Sequence, residues 1–211
     1  MTLASLQGKF IVLDGPDGAG KTTQLDLLEK FFTSAGLSVM RAVDPGGTQT
    51  GQKIREILLH SKELDLQPMC ETFLFMASRA QLISEIVKPA ISAGKIVLCD
   101  RFISSTLAYQ GALGVDKQMI IDLGDRAVEK CWPDVTVCLD VPVETGMQRV
   151  GDQKDRMESR SEDYHNKVRQ AFADLGTQSN PYPGKVCHVP ATGNIQLVHK
   201  TIIKTIGSLE L

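Results

Sequence analysis

The hydrophobic positions of the chain fall into short runs that alternate with longer segments of helical periodicity. Most of the runs are bounded by Gly, Pro or Asp. The candidate strands are residues 10–13, 37–43, 95–99, 135–139 and 185–189. Such alternation is typical of strand–helix units that build a parallel sheet with both faces covered by helices. We therefore predict an α/β fold around five parallel strands.

Three of the intervening segments carry apolar residues at helical spacing. They are residues 21–35, 72–87 and 194–207. In the second segment the predicted core stripe includes Phe73, Ala77 and Ala80, and in the third it begins at Ile195. Stripes of this kind pack against a core far more often than they hold a cofactor. His199 lies beside the third stripe, and we predict that it is a surface residue.

Composition limits the class of protein. The 211 residues fit one domain, predicted to span residues 1–211, with 42% hydrophobic and 23% charged residues, as in ordinary globular proteins. The formal net charge is -2 and there is no block of Lys and Arg, so we expect no nucleic-acid and no membrane partner. A small anionic substrate would need a local cationic pocket.

The cysteines are five in number, with no close pair and no metal-ligand spacing. We interpret all of them as packing residues in a reducing compartment. The start of the chain lacks the features of a signal peptide, and no apolar run approaches the roughly 18 residues that a bilayer requires. The expected location is therefore the cytoplasm.

A glycine-rich segment directly follows the first candidate strand and opens a candidate helix. It reads Gly15, Pro16, Asp17, Gly18, Ala19, Gly20, Lys21, Thr22 and Thr23. This is a phosphate-binding loop, in which backbone N–H groups surround phosphates at a helix N-terminus. Lys21 is predicted to reach the β- and γ-phosphates of ATP, and the Thr22 hydroxyl to contact Mg²⁺.

Regulatory GTPases share this loop, but they read guanine with an Asn-Lys-x-Asp element. The Asn-Lys pair of this chain, Asn166-Lys167, is followed by Val168 and Arg169, so the guanine reader is missing. A small-molecule phosphotransferase is the simplest alternative. A nucleotide-dependent binding switch stays open as a rival from another class.

A kinase of this kind must also hold a phosphorylated acceptor, and arginines after strands suit that task. Asp100 and Arg101 follow the third candidate strand, where ligand crevices open in parallel sheets. Phe75 and Arg79 are four residues apart and share one face of a helix. A ring that stacks on a base and a guanidinium that contacts its edge would fit this pair. Residues 104–111 add hydroxyl and amide groups that could read a base and a sugar.

These motifs together resemble the thymidylate kinase family, over about residue 10 to the end of the chain. The matching segments are 14–23, 44–48, Phe75 with Arg79, Asp100-Arg101, Ser105-Thr106, 108–111 and 163–165. The resemblance implies the three-layer fold of P-loop nucleoside monophosphate kinases, usually as a homodimer, with a flexible lid over the ATP phosphates. It also implies transfer of the γ-phosphate of ATP to dTMP, which gives dTDP and ADP. The alternative is another small P-loop kinase that acts on a deoxynucleoside or a different monophosphate.

The resemblance implies roles for the residues of the acceptor pocket. Phe75 would stack on thymine, Arg79 would contact its carbonyl edge and Thr106 its ring nitrogen. The other predicted contacts are Asp17 with the sugar 3′-hydroxyl, Tyr109 and Gln110 against a ribose 2′-hydroxyl, Arg55 and Arg101 with the acceptor phosphate, Ser105 beside Thr106, and Asp100 with a magnesium water.

The family divides over the source of the cation that stabilises the transferring phosphoryl group. One type places an arginine in the phosphate loop, at the position of Gly18, so the resemblance implies the bacterial type, in which the lid supplies it. The predicted lid is about residues 150–162 and offers Arg156 as the better candidate, with Lys154 second. Arg149 would lie against adenine. Asp44 departs from the glutamate that the family pattern leads us to expect, and a cis bond before Pro45 is possible there.

Overall fold

The computed structural model describes residues 3–151, 155–178 and 180–209. Lys154, one of the two candidate lid cations, lies outside the described residues. No helix among the described residues is long and apolar enough to cross a membrane.

Five parallel strands form the centre of the molecule. They are β1 (Phe10–Asp14), β2 (Val39–Val43), β3 (Ile96–Asp100), β4 (Val135–Asp140) and β5 (Lys185–Pro190), arranged in the order β2-β3-β1-β4-β5. In the register of the central strand, Val12 lies beside Cys99 of β3 and Thr136 of β4. The prediction of a five-stranded parallel sheet is confirmed, with strand bounds within two residues of those expected.

Helices connect successive strands. The α-helices are α1 (Lys21–Ser34), α2 (Gln49–Arg55), α3 (Pro68–Leu82), α4 (Lys88–Ser92), α5 (Ile103–Tyr109), α6 (Lys117–Val128), α7 (Val143–Val150), α8 (Glu162–Ala173) and α9 (Ile195–Gly207). Short 3₁₀ turns span Leu3–Leu6 and Gly111–Leu113, and π-helical turns span Glu56–His60 and Ile83–Val87. The two π turns continue α2 and α3 directly.

Alternation along the strands divides the core into two layers. On β1, Phe10 and Val12 face one cluster, which is completed by residues of α3, α5, α6 and α8. Ile11 and Leu13 face the other, which is completed by α1 and α9. Because side chains of a strand alternate between faces, a sheet covered on both sides reads as a continuous apolar run. The predicted three-layer architecture is confirmed.

The helix over Pro68–Leu82 differs from its prediction. It begins four residues before the expected start, and Phe73, Ala77 and Ala80 lie on its exposed side, not in the core. The buried side carries Thr72, Ser78 and Arg79 among its apolar residues. The prediction failed because these polar side chains are buried for the site, which the hydrophobic pattern does not reveal.

Three smaller expectations are also wrong. His199 is buried against Phe31, with ring centroids 6.1 Å apart, and burial lowers the pKa of this histidine. Ile195 is 54% exposed at the start of α9. Cys70 is exposed on α3, so it is not a packing residue, although all five cysteines are free.

Candidate active site

A cavity of about 480 Å³ opens where β1, β2 and β3 end. Parallel strands bring their carboxyl ends to one edge of the sheet, and the segments after these strands form its wall. Most of the predicted site residues line it: Asp17, Gly18, Gly20, Lys21, Thr22, Thr23, Arg55, Phe75, Arg79, Asp100, Arg101, Ser105, Thr106, Tyr109, Gln110 and Arg149. Gly15, Pro16 and Ala19 complete the loop without lining the cavity.

The phosphate loop joins β1 to α1 through backbone conformations that require glycine. Gly18 and Gly20 have φ of +69° and +87° in the left-handed region, where a side chain would be strained. Gly20 directly precedes Lys21, the first residue of α1, so the positive end of the helix faces the loop. Lys21 Nζ donates hydrogen bonds to the carbonyls of Gly15 at 3.0 Å and Pro16 at 2.8 Å. These conformations and contacts are those of a phosphate-binding loop at a helix N-terminus.

Gly18 also meets the backbone of α7. A Cβ added at Gly18 would lie 2.0 Å from the carbonyl oxygen of Gly146, and one added at Gly146 would lie 2.4 Å from the carbonyl oxygen of Asp17. Neither position has room for a side chain. The arginine that one type of thymidylate kinase carries at this point of the loop therefore cannot be accommodated by this backbone.

Thr22 and Asp100 provide the oxygen atoms expected beside a nucleotide-bound cation. Thr22 Oγ1 donates to Asp100 Oδ2 at 2.9 Å, which joins α1 to the end of β3. No three Asp, Glu, His or Cys side chains in the described part of the chain form a metal cage. One hydroxyl and one carboxylate suit Mg²⁺, which usually keeps waters and binds substrate phosphates. This donor pair fits the group that the loop implies.

Burial sets the charge of Lys21. Desolvation, reinforced by the positive charge of Arg101, lowers the pKa of Lys21 to about 8, although Asp17 acts in the opposite direction. Burial would raise the pKa of Asp17, but Arg101 and Lys21 outweigh it and lower that pKa overall. Lys21 therefore loses its proton as the pH rises through about 8, whereas the Asp17 carboxylate stays ionised.

Arg101 adopts φ of +66°, in the left-handed region, between β3 and α5. Its Nη2 contacts Asp17 Oδ1, and its Nη1 lies 3.2 Å from the Gly15 carbonyl and 3.3 Å from the hydroxyls of Ser105 and Tyr109. The side chain therefore turns into the cavity and pairs with the loop, not with its neighbour Asp100. Strained backbone held by such contacts is typical of functional sites.

Arg79 is fully buried on α3 and has three partners from other segments. Its Nε donates to Asp44 Oδ2 at 2.5 Å, Nη1 to Thr106 Oγ1 at 2.8 Å and Nη2 to the Phe102 carbonyl at 2.8 Å. Asp44 follows β2 and precedes a cis peptide bond to Pro45, which confirms that expectation. A buried guanidinium needs such partners. The network fixes Arg79 beside Phe75, whose ring centroid lies 5.6 Å from its Cζ.

Further predicted residues meet at this end of the cavity. Arg55 Nη1 donates to the Pro45 carbonyl at 2.9 Å, which aligns α2 with the loop after β2. Tyr109 is buried beside Arg101, and burial raises the pKa of its hydroxyl well above the usual value. Gln110 is buried and donates through Nε2 to Glu71 Oε2 at 2.9 Å. Aromatic, cationic and amide groups are therefore within reach of one ligand.

Arg149 at the end of α7 and Arg156 of the lid lie at two different places. Arg149 Nη1 donates to the Gly18 carbonyl at 3.1 Å, so its guanidinium lies against the phosphate loop. Arg156 is not in the cavity wall. Its Nη1 donates to Glu71 Oε1 at 2.7 Å and its Nε to the Leu58 carbonyl at 2.9 Å. In this structure the predicted lid cation is thus held by α3 and the π turn after α2.

The sequence analysis did not find several residues of the site. Asp155, Met157 and Glu158 line the cavity, as do Leu59 and Val43. Met157 is 5% exposed and packs with Ile54, Leu58, Leu59 and Phe75. Met157 is an isolated apolar residue in the polar lid segment, and this feature of the sequence could have indicated that it is buried. No feature of the sequence indicated that Glu71 is buried, because a single acidic residue on a helix usually faces solvent.

Comparison with known proteins agrees with this geometry. The sequence model described as Thymidylate kinase matches residues 13–202. The chain is 39% identical to a thymidylate kinase of Syntrophotalea carbinolica, over 96% of this chain and 97% of that relative. It is 44% identical to a thymidylate kinase of Rhodopirellula baltica, over 92% and 78%.

Among solved structures, the chain is similar to the crystal structure of thymidylate kinase from Ehrlichia chaffeensis. The TM-score is 0.75 and the sequence identity 31%, over 95% of this chain and 99% of that one. The family model covers most of the chain, and the relatives and the solved structure match nearly its whole length with the same fold, so the chain belongs to the thymidylate kinase family.

Proposed function

We propose that this protein transfers the γ-phosphate of ATP to dTMP and so forms dTDP and ADP. The observation that carries the proposal is one cavity that holds a phosphate loop at one end and Phe75, Arg79 and Arg101 at the other. The two halves face each other across the ends of β1 and β3. Phosphoryl transfer between two bound nucleotides requires this arrangement.

The donor half would bind ATP through the loop amides, Lys21 and the N-terminus of α1. Thr22 and Asp100 would hold Mg²⁺, which when bound neutralises charge on the transferring phosphates. Arg149, at the Gly18 carbonyl, is placed to meet either the phosphates or the adenine. These roles follow from where the side chains lie and from the family of the chain.

The acceptor half would bind dTMP with its phosphate between Arg55 and Arg101. The second pKa of a phosphate monoester is about 6, so the attacking oxygen is already anionic at neutral pH. No general base is then needed. The task of the protein is to align two anions and to stabilise charge on the group in transit.

The base would stack on Phe75 and meet Arg79 and Thr106 along its polar edge. The Asp17 Oδ2 oxygen is buried with no partner among the described residues, which suits the 3′-hydroxyl of the sugar. Ser105 lies beside these groups, and Tyr109 and Gln110 close the side where a ribose would carry its 2′-hydroxyl. A pocket for one methyl group contributes only about 1–3 kcal/mol, so dUMP should be a poorer but detectable substrate, by roughly 10–200-fold.

A further cation would come from the lid, through Lys154 or Arg156, or from Arg149 at the end of α7. Arg149 is already at the loop, and Lys154 precedes the docked part of the lid. Arg156 could act only after it exchanges Glu71 for a phosphate. Single-turnover rates of the Arg149→Ala, Lys154→Ala and Arg156→Ala variants would separate them, because a cation that acts in the transition state lowers turnover more than dTMP affinity.

We further propose that two copies of the chain form the working unit. The exposed side of α3 carries Cys70, Phe73, Ala77 and Ala80 at alternating three- and four-residue spacing, and Phe73 is 54% exposed. A stripe of mostly small residues lets two helices approach closely, and a single patch can pair with its own copy.

The five free cysteines fit a reducing compartment such as the cytoplasm.

An assay of ADP release with each deoxynucleoside monophosphate tests the function. We expect dTMP to be the best acceptor, with dTDP as the product identified by chromatography. A preference for a different monophosphate or for an unphosphorylated nucleoside would place the chain with another small P-loop kinase. Stoichiometric binding of ATP and dTMP without transfer would instead support a binding switch.

A further inference from the structure

The buried carboxylate of Glu71 joins the lid to the acceptor pocket. Glu71 is 0% exposed on α3 and does not itself line the cavity. Its Oε1 accepts from Arg156 Nη1 at 2.7 Å and from Arg160 Nη2 at 2.8 Å, both in the lid segment. Its Oε2 accepts from Gln110 Nε2 at 2.9 Å. One acid therefore pairs with two lid arginines and with one residue of the pocket wall.

The charge of Glu71 fixes the orientation of the Gln110 amide. An ionised carboxylate only accepts hydrogen bonds, so Gln110 must present its NH₂ group to Glu71. Its carbonyl oxygen, Oε1, is then the end that remains, and it is buried with no partner among the described residues. Because Gln110 lines the cavity, one of the two donors of dTMP, the thymine ring N–H or the sugar 3′-hydroxyl, is the natural partner for this oxygen.

A second route joins the lid to the same wall. The Arg160 guanidinium lies 4.9 Å from the ring centroid of Tyr164, and the Tyr164 hydroxyl donates to the Tyr109 carbonyl at 3.2 Å. The lid also reaches the π turn after α2, where Arg156 N donates to the Leu59 carbonyl at 3.1 Å. The route through Glu71 ends at Gln110, and the route through Tyr164 ends at its neighbour Tyr109. A lid docked on α3 and an ordered pocket wall are therefore parts of one network.

We propose that Glu71 is a positioning residue that couples lid docking to recognition of the acceptor nucleotide, through Arg156 and Arg160 on one side and Gln110 on the other. This inference rests on the proposed function. It predicts that a substitution at Glu71 weakens the binding of dTMP but not that of ATP. It also predicts that dTMP, by fixing the pocket wall, holds the lid more firmly on α3.

The test is Glu71→Gln, which keeps the shape of the side chain but removes its charge, so that either end of the Gln110 amide can face it. We expect KM for dTMP to rise about tenfold, as for loss of a hydrogen bond to a charged group, with KM for ATP within about twofold. The matched control is Glu129→Gln, at an exposed glutamate paired with Lys88. A purely structural role would lower the melting temperature and change both KM values together, which would overturn the proposal.

Limited trypsin cleavage after Arg156 reads lid docking without any turnover. In the wild-type protein dTMP should slow this cleavage, and in Glu71→Gln the cleavage should be faster and the protection by dTMP lost. If Glu71→Gln does not fold, Arg160→Gln replaces it, since this side chain is 22% exposed and Glu71 retains Arg156. We then expect a smaller rise in KM for dTMP, about threefold. Undiminished protection of a folded variant would contradict the coupling, whereas a wild-type protein that forms no dTDP would contradict the proposed function instead.

Discussion

At the scale of single residues, the site depends on charged groups that are buried and therefore costly unless paired. Among the described residues, Lys21 donates hydrogen bonds only to backbone carbonyls, and burial lowers its pKa to about 8. A lysine is charged below its pKa and neutral above it. The affinity of the free protein for the ATP phosphates should therefore depend on pH in a range where the nucleotides no longer titrate.

We predict that kcat/KM for ATP falls as the pH rises above about 8, by up to tenfold per pH unit, because this ratio reports the form of the enzyme to which ATP binds. A pH series at saturating dTMP measures the effect. Lys21→Arg is the control, since a guanidinium stays charged throughout the range. Its kcat/KM should be lower at neutral pH but flat above pH 8. A wild-type profile that is equally flat would show that Lys21 keeps its proton.

Arg79 allows a test of the buried network. Arg79→Met should destabilise the protein by roughly 3–5 kcal/mol, because the Asp44 carboxylate stays buried without its partner. Thermal unfolding measures the loss. The double variant Arg79→Met, Asp44→Asn removes the isolated charge and should recover a large part of the stability, but not dTMP binding. Equal stability of the single and double variants would mean that solvent reaches Asp44.

At this scale the sequence predicted the residues that motifs define. Phe75, Arg79 and Arg101 line one cavity with Lys21, as their spacing suggested. The partners of these residues were less accessible. Arg156 and Glu71 are 85 positions apart, and no local pattern indicates that they meet. Contacts between residues so far apart in the sequence depend on how the elements pack. The sequence therefore indicated that the lid carries cations, but not where these cations lie.

At the scale of elements, the phosphate loop and α7 act as a pair because their backbones touch. Gly18 faces the Gly146 carbonyl with no space for a Cβ, and Gly18 also has a positive φ. We predict that Gly18→Ala loses most ATP-dependent activity and about 1–3 kcal/mol of stability. Kinetics and thermal unfolding measure both. Gly20→Ala is the matched comparison, since its φ is +87° but its Cβ would meet nothing within 4 Å. If strain alone mattered, the two variants would be equally impaired.

The helical elements were predictable in place but not always in orientation. The bounds of α1 and α9 agree with apolar periodicity, whereas on α3 the pattern placed Phe73, Ala77 and Ala80 in the core. The buried side of α3 carries Glu71 and Arg79 for the site. A functional demand therefore overrides the rule that the apolar face turns inward.

At the scale of the whole molecule, that exposed stripe on α3 predicts assembly. We expect Phe73→Glu to convert a dimer into a monomer, because the charge would be placed in an interface built from small and apolar side chains. Sedimentation or light scattering measures the mass. Ile195→Glu is the control, since Ile195 is also 54% exposed but lies on α9. A wild-type chain that is monomeric at all concentrations would refute the assembly.

The number of strands and the two-faced core were the most predictable features, because short apolar runs bounded by Gly, Pro and Asp indicate burial on both faces. The burial of the edge strands was less predictable. β5 is largely exposed, with Val189 as its one fully buried residue, although the pattern suggested burial of both faces. Edge position depends on the path of the chain, which hydrophobicity does not encode.

The contact between Gly18 and Gly146 has a consequence for descent. A Cβ at position 18 would meet the backbone of Gly146, and one at position 146 would meet the Asp17 carbonyl, so a lineage with this backbone cannot gain a loop arginine at position 18 by a single codon change. An arginine at position 18 would first require α7 to withdraw, and every intermediate sequence would carry a damaged ATP site. Loop and helix are therefore expected to change together in evolution, and a substitution at position 18 would be retained only in a background that has already altered α7.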